Sequence, residues 1–388
     1  MKQTNFVRLL LLASGLALAG CSSACDDGGK GQEVDSGLAD AGADRDAIQS
    51  EEAGPADAGP DAWQLADSGP PYVDHDFCGQ DKFFLKNPDG TVASVTALGQ
   101  GWVLLGWWNR EERHPITVRL YDLEQCREYA LSPDWWKMED YWEASIEPDS
   151  MVIDVAKVPD VHDRMDLYLV DLASWSVTQL TDTPDETEEG PAYNGRYVAY
   201  IKSHWDSEAN TRRELGFWLM DTDTLESTML AEPEAWVSFS FITERYVVWT
   251  AYTTDPQSEG RDVYYHDLQT GQTVQVLASR EHYQYYADIW DHYIVWQETD
   301  DWDNPPYRLV LYDVNTGQKQ TLTEEPGLYG FAVDKGIVVW STYKYAPRPL
   351  EWKVMDIVAY DLRTSLERRL TTRAYRWGVG LDLSLIHI

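Results

Sequence analysis

Between Leu309 and Thr323 the chain reads LVLYDVNTGQKQTLT: an apolar run ending at Asp313, a turn Val314-Asn315-Thr316-Gly317, and a polar run closing on Leu-Thr. Apolar and polar runs of this length, split by Asp, Asn and Gly, predict two antiparallel strands and a tight turn. The Asp carboxylate suits the turn N–H groups, and Gly317 suits a left-handed position. The unit recurs. YYHDLQTGQTVQVL starts at Tyr264 and IVAYDLRTSLERRLT at Ile357. Weaker copies are VRLYDLEQCREYAL from Val118, LYLVDLASWSVTQLT from Leu167 and FWLMDTDTLESTML from Phe217. The shared Asp falls at Asp122, Asp171, Asp221, Asp267, Asp313 and Asp361, at intervals of 49, 50, 46, 46 and 48 residues.

A second apolar run precedes each copy: WVLLG from Trp102, MVIDV from Met151, YVAYI from Tyr197, YVVWT from Tyr246, YIVWQ from Tyr293 and IVVWS from Ile337. The fifth unit divides into four strands, at 283–289, 292–298, 307–313 and 318–323, and no stretch has helical spacing with caps. Four strands repeating every 40 to 50 residues predict an all-β fold, a β-propeller of four-stranded blades. The repeated Asp residues are expected to be structural turn positions, and the Trp of the VVW runs to be blade packing. Thr-Gly is lost at 174–175, 224–225 and 364–365, so only two copies carry the full turn.

Six complete units occupy about residues 92–372. Tyr375–Asp382 aligns with Gly327–Asp334 as the start of a seventh. LSLIHI at 383–388 resembles the translation of a sequencing-library adaptor, which implies a read-through scar and a longer native protein. The expectation is seven blades in the intact protein, with six as the alternative. Asp81–Lys86 suits the strand that closes such a ring.

The pattern of IVW, YDL or YDV, TG and LT resembles the TolB-like β-propellers of bacterial envelopes over about residues 78–382. That resemblance implies architecture and says little of activity, because the fold hosts unrelated functions.

The N-terminus carries a second resemblance. Lys2 and Arg8 precede an apolar stretch, Leu9–Gly20, too short for a permanent membrane helix, and Leu18-Ala19-Gly20-Cys21 is similar to a bacterial lipobox. This implies a signal peptide at 1–20, cleavage before Cys21, lipidation of its thiol, and an anchor in the cell envelope. Ser22 after the Cys favours the outer membrane. Residues 21–77 are mostly Asp, Ala, Gly, Ser and Pro, the composition of a disordered, self-repelling tether. Of the remaining cysteines, Cys25 lies in the tether. Cys78 and Cys126 flank the first folded unit and are expected to pair in an oxidising compartment.

The formal net charge of −35 disfavours nucleic acid and anionic lipid surfaces. No G-x-S-x-G, H-E-x-x-H, phosphate-binding glycine loop or EF-hand loop is present. His282 and His292 fall on different expected strands and make no metal pair. Thr299–Asn304 and Asp182–Glu189 are acidic, but their ligand order fits no calcium loop, so solvated turns are expected; no cofactor is assigned and Ca²⁺ alone is left open. Two functions follow. The first is a tethered binding or scaffold module for an envelope protein or glycan, with contact loops at Ser203–Glu214 and Tyr252–Asp262. The alternative is an enzyme, either a polysaccharide lyase or hydrolase with its site in the channel mouth, or a propeller preceding a lost catalytic domain.

Overall fold

The computed structural model describes residues 72–74, 94–109, 114–131, 143–156, 165–183, 185–206, 211–233, 237–252, 261–276, 283–300, 306–325, 328–342, 354–370 and 374–375. They form an all-β six-bladed propeller, with six separate antiparallel sheets. Blade one is β2 (Ser94–Gly99), β3 (Trp102–Asn109), β4 (His114–Asp122) and β5 (Arg127–Leu131), with β1 (Tyr72–Asp74) added outside β5. Blade two is β6 (Ala144–Ile146), β7 (Ser150–Ala156), β8 (Met165–Asp171) and β9 (Val177–Gln179). Blade three is β10 (Thr187–Tyr193), β11 (Tyr197–Asp206), β12 (Thr211–Asp221) and β13 (Ser227–Ala231). Blade four is β14 (Val237–Ile242), β15 (Tyr246–Tyr252), β16 (Arg261–Asp267) and β17 (Gln272–Gln275). Blade five is β18 (Tyr283–Trp290), β19 (Tyr293–Thr299), β20 (Tyr307–Asp313) and β21 (Gln318–Glu325). Blade six is β22 (Leu328–Asp334), β23 (Ile337–Thr342), β24 (Val354–Asp361) and β25 (Leu366–Arg369), with β26 (Ala374–Tyr375) also on β24.

The repeat read from the sequence is a repeat of register. In every blade the shared Asp pairs with the first residue of the second strand: Asp122 with Trp102, Asp171 with Ser150, Asp221 with Tyr197, Asp267 with Tyr246, Asp313 with Tyr293 and Asp361 with Ile337. The second strands are largely apolar because both of their faces are buried. Val247 and Trp249 pack toward blade three, whereas Tyr246 and Val248 pack toward blade five. The other blade-to-blade clusters centre on Leu104 with Met151, Val152 with Val198, and Val295 with Trp340. The core therefore lies between blades rather than within one. Trp249, Trp296 and Trp340, from the VVW runs, are among its largest fully buried side chains.

Among the described residues, a side chain bonds the backbone of a neighbouring blade at five seams. Trp102 Nε1 donates to the Pro148 carbonyl (3.1 Å), Asn194 Nδ2 donates to the Thr243 carbonyl (2.7 Å), and Gln284 Oε1 accepts from the Val263 N–H (2.9 Å). At the two other seams the acceptor is a carboxyl: Asp154 Oδ2 for the Gly190 N–H (3.2 Å) and Asp288 Oδ2 for the Val333 N–H (2.9 Å).

Ala374 and Tyr375 pair with Met355 and Val354 on the outer side of β24, as Glu324 and Glu325 pair with β20 ahead of blade six. Beyond Tyr375, the residues aligned with the start of a seventh blade lie outside the described residues. Two expectations change. Tyr72–Asp74, assigned to the tether, is a strand of blade one, registered Tyr72 with Tyr129 and Asp74 with Arg127. Ser203–Glu214 is mostly not a loop, because β11 and β12 run on as a long hairpin with Ser203 opposite Glu214 and Asp206 opposite Thr211. Asp81–Lys86, Cys21, Cys78 and 383–388 lie outside the described residues.

Candidate binding face

Strand order gives the propeller two unlike ends. One carries the turns from first to second strand and from third to fourth; the other carries the longer connections. All six repeated Asp residues sit at the tight-turn end, and each accepts backbone N–H bonds. Asp122 Oδ1 takes Glu124 N (2.9 Å) and Gln125 N (2.7 Å). Asp171 takes Ala173 N (3.1 Å) and Ser174 N (2.6 Å), and Asp221 takes Asp223 N (3.0 Å). Asp267 takes Gln269 N (2.9 Å) and Thr270 N (3.3 Å), Asp313 takes Asn315 N (2.9 Å) and Thr316 N (3.3 Å), and Asp361 takes Arg363 N (2.8 Å) and Thr364 N (3.3 Å).

Four residues after each Asp the backbone is left-handed: Cys126 (φ 62°), Trp175 (61°), Leu225 (59°), Gly271 (68°), Gly317 (69°) and Ser365 (55°). The copies without Thr-Gly therefore make the same turn at a steric cost. Arg196 pairs with Asp221 at 2.7 Å and Arg245 with Asp267 at 2.8 Å, each guanidinium also lying over the neighbouring Tyr ring. These partners, and the turn N–H groups, hold the Asp221 and Asp267 carboxyls below their usual range. The carboxylates are thus occupied by turns, and no group of three or more His, Cys, Asp or Glu able to hold a metal occurs among the described residues. Cys126 is disulfide-bonded.

The opposite end gathers aromatics from blades four and five. The Arg261 guanidinium lies 4.5 Å from the centre of the Tyr252 ring. Tyr283 and Tyr285 stack with ring centres 6.4 Å apart, and Tyr286 lies 6.3 Å from Tyr285. Burial pushes the phenols of Tyr285 and Tyr286 up, and the charge of Arg261 opposes that shift at both. Glu214 of blade three belongs to the same end: burial raises its carboxyl, while Arg212 and Arg261 lower it. Arg212 in turn bonds to Glu189.

Tyr286 departs from the pattern of its own fold. Five of the innermost strands carry a break in register, between Val95 and Ala97, Glu189 and Ala192, Ser238 and Ser240, Tyr285 and Asp288, and Tyr329 and Phe331. At the position of Tyr286, blades three and six hold Gly190 (φ 64°) and Gly330 (φ 63°), whereas Tyr286 adopts φ 48° with a side chain. Tyr286 is 37% exposed. A bulky residue in this region is strained, and such strain tends to gather at functional sites. The sequence reading missed Tyr286, because YQYYADI and LYGFAVD set side by side place it against Phe331. Only the hairpin register, Trp290 with Tyr293 and Asp334 with Ile337, places it against Gly330.

Buried acids were also missed. Asp166, Asp262 and Asp356 occupy one register position, five residues before the turn Asp, and bond Gln179 (2.9 Å), Gln275 (2.6 Å) and Arg369 (2.7 Å) on the outer strand. In blade five Arg308 takes that position and pairs with Glu298 at 3.1 Å. Glu298 is buried, which raises its carboxyl, yet Lys319, the Trp296 N–H and Arg308 together hold it below its usual value. Within the acidic stretch 182–189, Glu188 is fully buried against the Thr183 hydroxyl (2.6 Å) rather than solvated.

No protein-family model matches the chain, and no curated protein matches it. Solved structures share its fold. An oligogalacturonate lyase from Vibrio parahaemolyticus matches with a TM-score of 0.51 at 11% identity, over 72% of this chain and 77% of that one. An acylaminoacyl peptidase from Pyrococcus horikoshii matches with a TM-score of 0.54 at 13% identity, over 75% of this chain and 47% of that one. TolB from Acinetobacter baumannii is also among the neighbours, with a TM-score of 0.45 at 13% identity, over 70% of this chain and 64% of that one. Identities this low speak to the propeller architecture and not to an activity.

Proposed function

We propose that this chain is an envelope lipoprotein, anchored through lipid on Cys21, whose propeller binds a protein or glycan partner at the long-connection end. In this reading a Cys78–Cys126 disulfide fixes the start of the domain, and the acidic tether gives the propeller reach. The observation that carries it is Tyr286: a partly exposed aromatic held in a conformation that two sister blades give to Gly, beside Tyr285 and within the field of Arg261. Aromatic rings that offer large, rigid contact area are favoured anchors at binding surfaces.

Tyr286→Gly tests this, because a binding role and a packing role predict opposite signs. The full-length lipidated protein and the variant are screened on envelope-glycan and envelope-peptide arrays, with thermal midpoints in parallel. The expected result is a wild-type ligand whose affinity falls at least tenfold in a variant that is as stable as the parent or more so. A destabilised variant with undiminished binding, or wild-type turnover of an array component without a lasting complex, overturns the proposal.

A further inference from the structure

The outer strands of the blades do not end alike. In blade one the outer strand β5 is itself covered by β1, an added strand of three residues. Its register sets Tyr72 against Tyr129, Val73 against Glu128 and Asp74 against Arg127, whose Nε lies 3.5 Å from Asp74 Oδ1. In blade three the outer strand β13 (Ser227–Ala231) has no strand beyond it among the described residues. Five residues after the shared Asp, Glu226 stands where Arg127 stands in blade one, so Ser227 and Thr228 match Glu128 and Tyr129.

Natural sheets blunt such an edge by keeping it short or by placing charged side chains, Lys above all, along it. β9 has three residues, β21 carries Lys319, and β25 carries Arg368 and Arg369. β17 has four residues and exposes only Gln272, Thr273 and Gln275. β13 has five residues, no charged one, and three in succession exposed, among them Met229 at 39%. The Asp221 N–H bonds to the Glu226 carbonyl at 3.0 Å. From that pair, the alternation of an antiparallel ladder turns the N–H groups of Ser227 and Met229 away from β12. Glu226 and Glu232, just beyond the two ends of the strand, are exposed and form no ion pair among the described residues.

We propose that β13 is a docking edge: an extended basic segment of a partner protein adds to it as a further antiparallel strand, with a Lys or Arg opposite Glu226. This surface is the outer rim of blade three, distinct from the aromatic cluster of blades four and five. The partner's main chain supplies ladder bonds to Ser227 and Met229, and its charge selects it from other extended segments. β1 is the internal precedent with the signs reversed, since there Asp74 of the added strand meets Arg127 of the blade. The same comparison disfavours β1 of a second copy, which would set Asp74 against Glu226. A cationic segment also suits a chain of formal net charge −35.

The probes are two acetylated and amidated pentapeptides, TVYVK and TVYVD, whose last residue falls opposite Glu226 and whose two Val fall opposite Ser227 and Met229. Each is titrated to millimolar levels into the full-length protein in detergent, labelled with carbon-13 at the methionine methyl groups. The Met229 signal is followed against that of Met151, which is fully buried in blade two. Expected is a saturable movement of Met229 while Met151 stays still, at about fivefold lower concentration for TVYVK than for TVYVD. Glu226→Lys should reverse that order. A Met229 signal unmoved by both peptides overturns the proposal, as do equal responses in the wild-type protein or an unreversed order in Glu226→Lys. A Met229 signal that moves with protein concentration alone assigns the edge to a second copy, and overturns it too.

Discussion

At the scale of single residues the turn after each third strand sets two demands: an acceptor at its first position and a left-handed backbone four residues later. Asp meets the first in all six blades, but Gly meets the second only at Gly271 and Gly317. Leu225 stands there with 49% exposure, so its side chain contributes little burial to offset the backbone cost. Leu225→Gly should raise stability by about 1 kcal/mol, whereas Gly317→Ala should lower it by a similar amount. Urea unfolding of both variants checks this, and a destabilised Leu225→Gly would show that the turn is held by its neighbours. The Asp is legible in sequence because the turn needs it locally. Tyr286 is not, because the bulge that strains it exists only once two strands have found their register.

At the scale of elements the second strands were legible as YVVW, YIVW and IVVW because each is buried on both faces. Equal register does not mean equal energetics. Trp296 Nε1 donates to buried Glu298 at 3.1 Å, whereas Trp249 and Trp340 have no partner for Nε1 among the described residues. Trp296→Phe leaves a buried carboxylate short of a donor; the other two changes remove an unmet N–H. Trp296→Phe should therefore cost about 1–2 kcal/mol more than Trp249→Phe or Trp340→Phe. Equal losses in denaturant midpoint across the three variants would contradict this. The expected strands of blade five, 283–289, 292–298, 307–313 and 318–323, are observed at 283–290, 293–299, 307–313 and 318–325. What stayed hidden was lateral: the acids at 154, 166, 262, 288 and 356 look like surface residues until a neighbouring strand or blade covers them.

At the scale of the whole molecule these carboxyls oppose one another. The turn carboxyls of Asp171, Asp221 and Asp267 are lowered, by N–H bonds from the turn and, for the last two, first by Arg196 and Arg245. Their contribution is present above the unfolded carboxylate value and is lost as pH falls below it. Asp288 and Glu147 are raised to about 7, both chiefly by burial, with Glu244 adding to Glu147. Their contribution is full below the unfolded value and declines as pH rises toward 7. His266, lowered by burial, works the other way near neutrality, one imidazole against several carboxyls. Stability should thus peak at about pH 4–5 and decline toward pH 8. Thermal midpoints taken from pH 3 to 8 check this; a midpoint that climbs steadily from pH 5 to 8 would refute it. The excess of acid was legible from composition, but the sign of its effect depends on which acids the fold covers.

The pairing of β1 with β5 has a mechanical consequence. Tension on the chain ahead of Tyr72 enters the domain through three rungs at the rim of blade one, at Tyr129, Glu128 and Arg127. Load applied at one end of so short a ribbon separates it rung by rung. The first thing to yield under a pull is a detachable fastening, and the four strands behind it keep their shape.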